Sequence, residues 1–180
     1  MRAAGAVPAT IGIVDGTVRA GLAAAELGRF AEAGARARKV GARDITPCVV
    51  QGALGAKTVG GTLAVCRARS ASGFWERAAS AACTAACDLL QIARTLAVVV
   101  SSGAKSILDV SATAELLETL GVPVLGWQTA TLPVFYIAEA GPAVPAVAST
   151  SAEAASIARV HWQLNPSSGL LLARPPAGWT

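Results

Sequence analysis

Short apolar runs alternate with amphipathic stretches along this chain, and the alternation predicts its elements. Residues 8–14, PATIGIV, are β-rich, Asp15-Gly16 is a hairpin turn signal, and TVRAGL follows, so a hairpin is expected near the start. Leu27, Phe30 and Ala31 fall at helical spacing within Ala23–Ala33, with Gly34 as the expected stop. Residues 36–47, RARKVGARDITP, read as a charge-rich loop. Ala56–Arg69 reads as a helix whose Gly60 and Gly61 cost stability and so mark the close approach of a backbone or ligand.

Further along, Leu96–Ser102 is a continuous apolar strand, and GAKSILD turns from it into a helix, SATAELLETLG, that ends at Gly121. VPVLG and LPVFYIAE read as strands. Thr150 and Glu153 make a capping-box pattern ahead of AASIARVHWQL, and GLLLA closes as a strand. Strands alternating with helices predict an α/β layered domain with a mostly parallel sheet flanked by helices. At 180 residues without a compositional break, one domain is expected.

Composition narrows the function classes. Hydrophobic residues make up 53% of the chain, yet no run approaches the roughly 20 needed to span a bilayer. One Arg before the first apolar run, with no clear cleavage site, favours a buried strand over a signal peptide. The net charge of +4 is spread along the chain, which suits a phosphorylated small substrate and argues against nucleic acid. Cys48, Cys66, Cys83 and Cys87 form no C-x-x-C pair, so neither a zinc site nor a disulfide framework is expected, and the cytoplasm is the expected compartment.

Lys105 leads the candidate chemistry. It lies just past an apolar strand and at the mouth of a helix, where open α/β sheets place ligand crevices. The positive end of the helix would disfavour a second positive charge, which suits a nucleophile for Schiff-base chemistry on a sugar aldehyde. Position alone leaves open a surface lysine whose stem snorkels. Lys39, in a loop with Arg36, Arg38 and Arg43, reads either as a phosphate contact or as a solvated charge. GALGAKTVGGT could present backbone N–H groups to an anion but lacks the order of a Walker A loop. His161, the sole histidine, reads as a packed residue beside Trp162.

Taken together, RKVGARDI, GAKTVGGTLAV, VVVSSGAKSILDVSATAELLETLGVPVLGWQT, LPVFY and SGLLLARPP closely resemble the pseudouridine-5'-phosphate glycosidase family. The resemblance covers Met1 to about Gly73 and about Asp88 to Pro176. It implies reversible cleavage of the C-glycosidic bond of pseudouridine 5'-phosphate to uracil and ribose 5-phosphate, in a homotrimer with manganese. It also implies that Lys105 is the imine-forming nucleophile and that Lys39 and Val59 bind substrate. Lys57 stands where the family usually has threonine. The family's acid, a glutamate in an EST motif, would precede the segment matching Met1, and a further helical portion would follow Thr180. The expectation is a single partial domain over residues 1–180 that lacks the acid.

Between Phe74 and Asp88 the family has a glycine loop, GGIGGVHRG, and a metal-binding carboxylate; this chain has WERAASAACTAAC. Read one base earlier, the codons allowed by Trp75 to Ala86 permit a run ending Gly-Gly-Ile-Gly-Gly-Val-His-Arg-Gly. A frame disturbance over residues 74–87 would replace a phosphate cradle by an alanine run of helical propensity and remove the metal ligand. An impaired or inactive enzyme is expected, with two rivals: a non-catalytic remnant that binds a sugar phosphate or another subunit, and a different Schiff-base lyase.

Overall fold

A computed structural model of the chain describes residues 11–58, 62–63, 79–80, 86–104, 109–134, 137 and 141–175. These fall into two compact units, Met1–Thr62 and Leu63–Thr180.

In the first unit, β1 (Ile11–Val14) and β2 (Thr17–Ala20) form the expected antiparallel hairpin. Asp15 and Gly16 have φ of 50° and 71°, the two left-handed residues of a primed turn that matches strand twist. Helix α1 (Ala24–Ala33) follows, and Gly34, at φ 49°, ends it. Then come β3 (Arg38–Val40), a 3-10 turn (Ala42–Asp44), helix α2 (Ile45–Val50) and β4 (Gly55–Lys57). The sheet order is β2-β1-β4-β3, with β3 parallel to β4 and the other pairs antiparallel. Ile13, Val40 and Cys48 form its core, with Val18, Ile45, Val49 and Ala53 packed around them.

Two expectations fail here. The charge-rich loop contains a strand and a helix, because β3 is an edge strand that buries only Val40 and leaves Arg38 and Lys39 in water. With one apolar residue in three, no period shows. Residues 55–57 are a strand rather than part of a helix. Gly55 and Ala56 pair with β1 on one side and β3 on the other, and two ladders outweigh the helical propensity of Ala56 and Lys57. Among the described residues the helical reading of 56–69 survives only at Thr62 and Leu63.

The second unit holds β5 (Ala79–Ser80), α3 (Ala86–Ile92), β6 (Val98–Ser101), α4 (Val110–Thr119), β7 (Val124–Trp127), β8 (Ala146–Ala148), α5 (Ser151–Leu164) and β9 (Leu170–Ala173). Its five strands are all parallel, in the order β5-β6-β9-β7-β8. The chain steps one way across this sheet from β5 to β8, then returns through α5 to insert β9 between β6 and β7. Right-handed crossovers therefore put α3 and α4 on one face and α5 on the other. Ala158, Ile157 and Trp162 of α5 pack on Leu125, Leu170 and Leu172. Val99 and Leu171, which alternate with that set, are buried too, as a parallel sheet covered on both faces requires. Thr150 caps α5 by accepting the Glu153 N–H at 3.2 Å, while the Glu153 carboxylate accepts the Ser149 N–H at 2.9 Å.

The alanine run is not one continuous helix. Ala79 and Ser80 pair with Val98 and Val99 as an edge strand, so a place in the sheet overrides local propensity before α3 begins. LPVFYIAE also departs from expectation: its described residues make isolated bridges, not a ladder. Pro133 has no N–H to give, Leu132 donates to the Pro142 carbonyl, and Val134 and Ile137 bond to each other, which turns the chain back. The edge strand beside β7 is instead β8, hidden in the sequence by the prolines of GPAVPAV. Among the described residues no helix is long and apolar enough to cross a membrane.

Candidate functional site

In open parallel sheets ligands gather outside the carboxyl ends of the strands where the strand order reverses. Here that place is the ends of β6, β9 and β7. Strand β6 ends at Ser101, 4% exposed, whose Oγ accepts the Gly103 N–H at 3.2 Å. Gly103 is left-handed, φ 83°, and a Cβ on it would lie 1.6 Å from the Pro133 carbonyl oxygen. That same carbonyl accepts the Ala104 N–H at 3.1 Å. The backbone leaving β6 is thus locked onto the 129–134 segment. Lys105 is the next residue; it lies outside the described residues.

The chain is described again at Asp109, whose Oδ1 accepts the Ala112 N–H at 2.9 Å and caps α4. The expected strand before Lys105 and helix after it are both present, and the cap corrects one argument about the lysine. A carboxylate at the cap offsets the positive end of α4, so the helix dipole is no independent reason for a neutral lysine.

Two more glycines hold the same segment. A Cβ on Gly126, at the end of β7, would lie 2.0 Å from the Thr129 carbonyl oxygen, and one on Gly141 would lie 2.1 Å from that of Leu132. Between them Gln128 adopts φ 54°, uncommon for a residue other than glycine, with its N–H on the Ala148 carbonyl at 3.1 Å. At the end of β9 the Arg174 N–H donates to the Ser101 carbonyl at 2.8 Å. Sequence reasoning passed over Ser101, Gly103, Gly126, Gln128, Gly141 and Arg174. The available signal was positional: SSG, GWQ and LLLAR each fall where an apolar run stops.

The other expected residues are placed as follows. Lys39 is the middle residue of β3, exposed and paired in register with Ala56, while Val59 lies outside the described residues. His161 is half-buried in α5, and its Nε2 has no hydrogen-bond partner among the described residues. Cys48 is a buried free thiol in the first core, and Cys66 and Cys83 lie outside the described residues. Among the described residues no three of His, Cys, Asp and Glu come together to hold an ion. Asp88 is buried and already engaged. Among the described residues none of these groups forms a site that fits manganese.

A sequence model of the family described as indigoidine synthase A like protein matches residues 1–178. The chain belongs to the indigoidine synthase A-like family. Among similar proteins, the pseudouridine-5'-phosphate glycosidases of Chloroflexus aurantiacus and Deinococcus radiodurans are 42% and 39% identical to it. The matches take 98% and 95% of this chain but 61% and 56% of those relatives, so this family member spans less than two thirds of their length. An indigoidine synthase A-like protein of Thermotoga maritima superposes with a TM-score of 0.82 at 33% identity, over 94% of this chain and 59% of its own. The prealnumycin C-glycosynthase, crystallised with ribulose 5-phosphate, gives 0.85 at 38% identity, over 98% and 60%.

Proposed function

We propose that this chain carries the imine-forming part of a pseudouridine-5'-phosphate glycosidase, with Lys105 as nucleophile and Lys39 and Val59 as substrate-binding residues. The observation that supports the reading is the locked turn at Gly103 and Ala104, at the carboxyl end of a central parallel strand and immediately ahead of Lys105 in the sequence. A carbon–carbon bond to uracil is a poor leaving linkage while the ribose stays closed. When the lysine amine takes C1′ and the ring oxygen departs, the nitrogen lone pair can form C=N. The electron pair of the broken bond then goes to uracil, which takes up a proton, and water releases ribose 5-phosphate from the imine. Relatives bearing the glycosidase name, and a structural neighbour that holds a pentulose phosphate, support the substrate class.

In this reading the homotrimer and manganese are those the resemblance implies, and the departure at residues 74–87 impairs turnover by this chain. The second reading, a remnant that binds a sugar phosphate without turnover, is favoured by the departure at residues 74–87. Borohydride reduction in the presence of ribose 5-phosphate separates the two: the expected result is an adduct that maps to Lys105 and is lost in Lys105→Arg. No adduct would leave the remnant. Uracil release from pseudouridine 5'-phosphate with added manganese should run far below that of the Chloroflexus relative, and parity with it would sink the claim of impairment.

A further inference from the structure

The proposed substrate carries a phosphate, and the charge that would meet it is not supplied where a parallel sheet usually supplies it. The N-terminus of the helix after a strand is the common anion site. Here the Asp109 carboxylate already occupies the start of α4 and accepts the Ala112 N–H. On the other side of β6 sits β5, whose Ala79 and Ser80 belong to the segment standing in place of a glycine loop. Neither neighbour of the β6 end brings a cation there among the described residues.

Strand β9 does. Its last residue, Ala173, is in register with Ser101, and the next N–H, that of Arg174, donates to the Ser101 carbonyl. Arg174 is exposed, and among the described residues its guanidinium has no carboxylate, carbonyl or hydroxyl partner. Among the described residues of this unit, the other exposed arginine left in that condition, Arg94, lies before β6 and therefore at the amino edge of the sheet. Of the two, only Arg174 stands at the carboxyl edge, beside the strand whose end leads to Lys105.

We propose that Arg174 binds the phosphate of a phosphorylated sugar aldehyde at the carboxyl end of the β6–β9 pair and so sets the preference for phosphorylated over free sugar. The inference rests on the reading of Lys105 given above. A guanidinium suits the task because it holds two phosphate oxygens at once and stays charged at any physiological pH. The role is in binding, not in the bond-breaking step.

The test compares the parent, Arg174→Gln, Arg174→Lys and Arg94→Gln in borohydride trapping, with the concentration of ribose 5-phosphate or of ribose varied. Arg174→Gln should raise the half-saturating ribose 5-phosphate about tenfold, the usual size of a lost charge-assisted hydrogen bond, and leave that for ribose unchanged. Arg174→Lys should recover part of the loss, and Arg94→Gln should match the parent. An unchanged preference in Arg174→Gln, or an equal loss for both sugars, overturns the assignment. If the parent itself forms no adduct, the Lys105 reading fails separately. Calorimetric titration with ribose 5-phosphate then judges Arg174 alone, and equal affinity in parent and Arg174→Gln overturns it.

Discussion

Glycine does different work in the two units. In the first, the positions a Cβ would take at Gly12 and Gly55 are filled by side chains: Leu22 and Phe30 at 3.0 Å from the one, Cys48 Sγ and Val40 Cγ2 at 2.8 Å from the other. In the second, Gly103, Gly126 and Gly141 make room for backbone carbonyls, at 1.6 to 2.1 Å from the absent Cβ. Side chains can change rotamer at modest cost, whereas a carbonyl moves only with its whole peptide plane. The first unit is thus specified by packing, and the carboxyl edge of the second by the course of its main chain. A site that must present one amine to one carbon needs the second kind of specification. Gly16 is the exception in the first unit: its Cβ would meet the Val49 carbonyl oxygen at 2.9 Å, and it sits in a turn that demands φ above zero anyway.

The contrast breaks most visibly by adding one methyl to each kind of glycine. Gly103→Ala combines a left-handed backbone with an impossible overlap, so the β6 turn must detach from Pro133. The expected loss is roughly 3 kcal/mol or more, read as a fall in the urea midpoint, and borohydride trapping at Lys105 should fall with it. Gly55→Ala presses on Cys48 and Val40, which have some freedom to give, and should cost roughly 1–3 kcal/mol in the same measurement. A Gly55 variant that loses more than the Gly103 variant would mean that carbonyl crowding is not what distinguishes the two units.

How much of this was legible beforehand follows the same division. Elements set by their own residues were readable: the Asp15-Gly16 hairpin, the helix stopped by Gly34, the capping pair Thr150 and Glu153, and the apolar strands around Val99, Leu125 and Leu171. Elements set by a distant partner were not. Strand β3 takes its conformation from β4, Ala79 and Ser80 from β6, and β8 from β7, and none of the three has an apolar period of its own. The candidate site divides likewise. Lys105 stood out by its place after an apolar run. The glycines and carbonyls at the carboxyl edge of the sheet are residues far apart in sequence that become informative only once Gly103 is seen against Pro133, and the Asp109 cap offsets the helix dipole that the lysine was expected to feel.

The smallest expected effect lies at the hairpin of the packed unit. Both oxygens of Asp15 accept hydrogen bonds from Arg29 at 2.8 Å, and these bonds, with the attraction of Arg29 and Arg19, hold the Asp15 carboxyl below its ordinary value of 3.8. The same pair raises Arg29 further above its ordinary range. A lowered carboxylate contributes stability that is fully present above 3.8 and is lost as the pH falls through the folded-state value. Both groups are exposed, so salt should weaken the effect. Asp15→Asn removes the charge while keeping a residue that tolerates φ 50°. The variant should unfold at slightly lower urea than the parent at neutral pH, and the gap should close in acid below 3.8 and narrow in concentrated salt. A gap that persists in acid would assign the difference to the turn's own hydrogen bonding, leaving the hairpin held, like the rest of its unit, by packing rather than by charge.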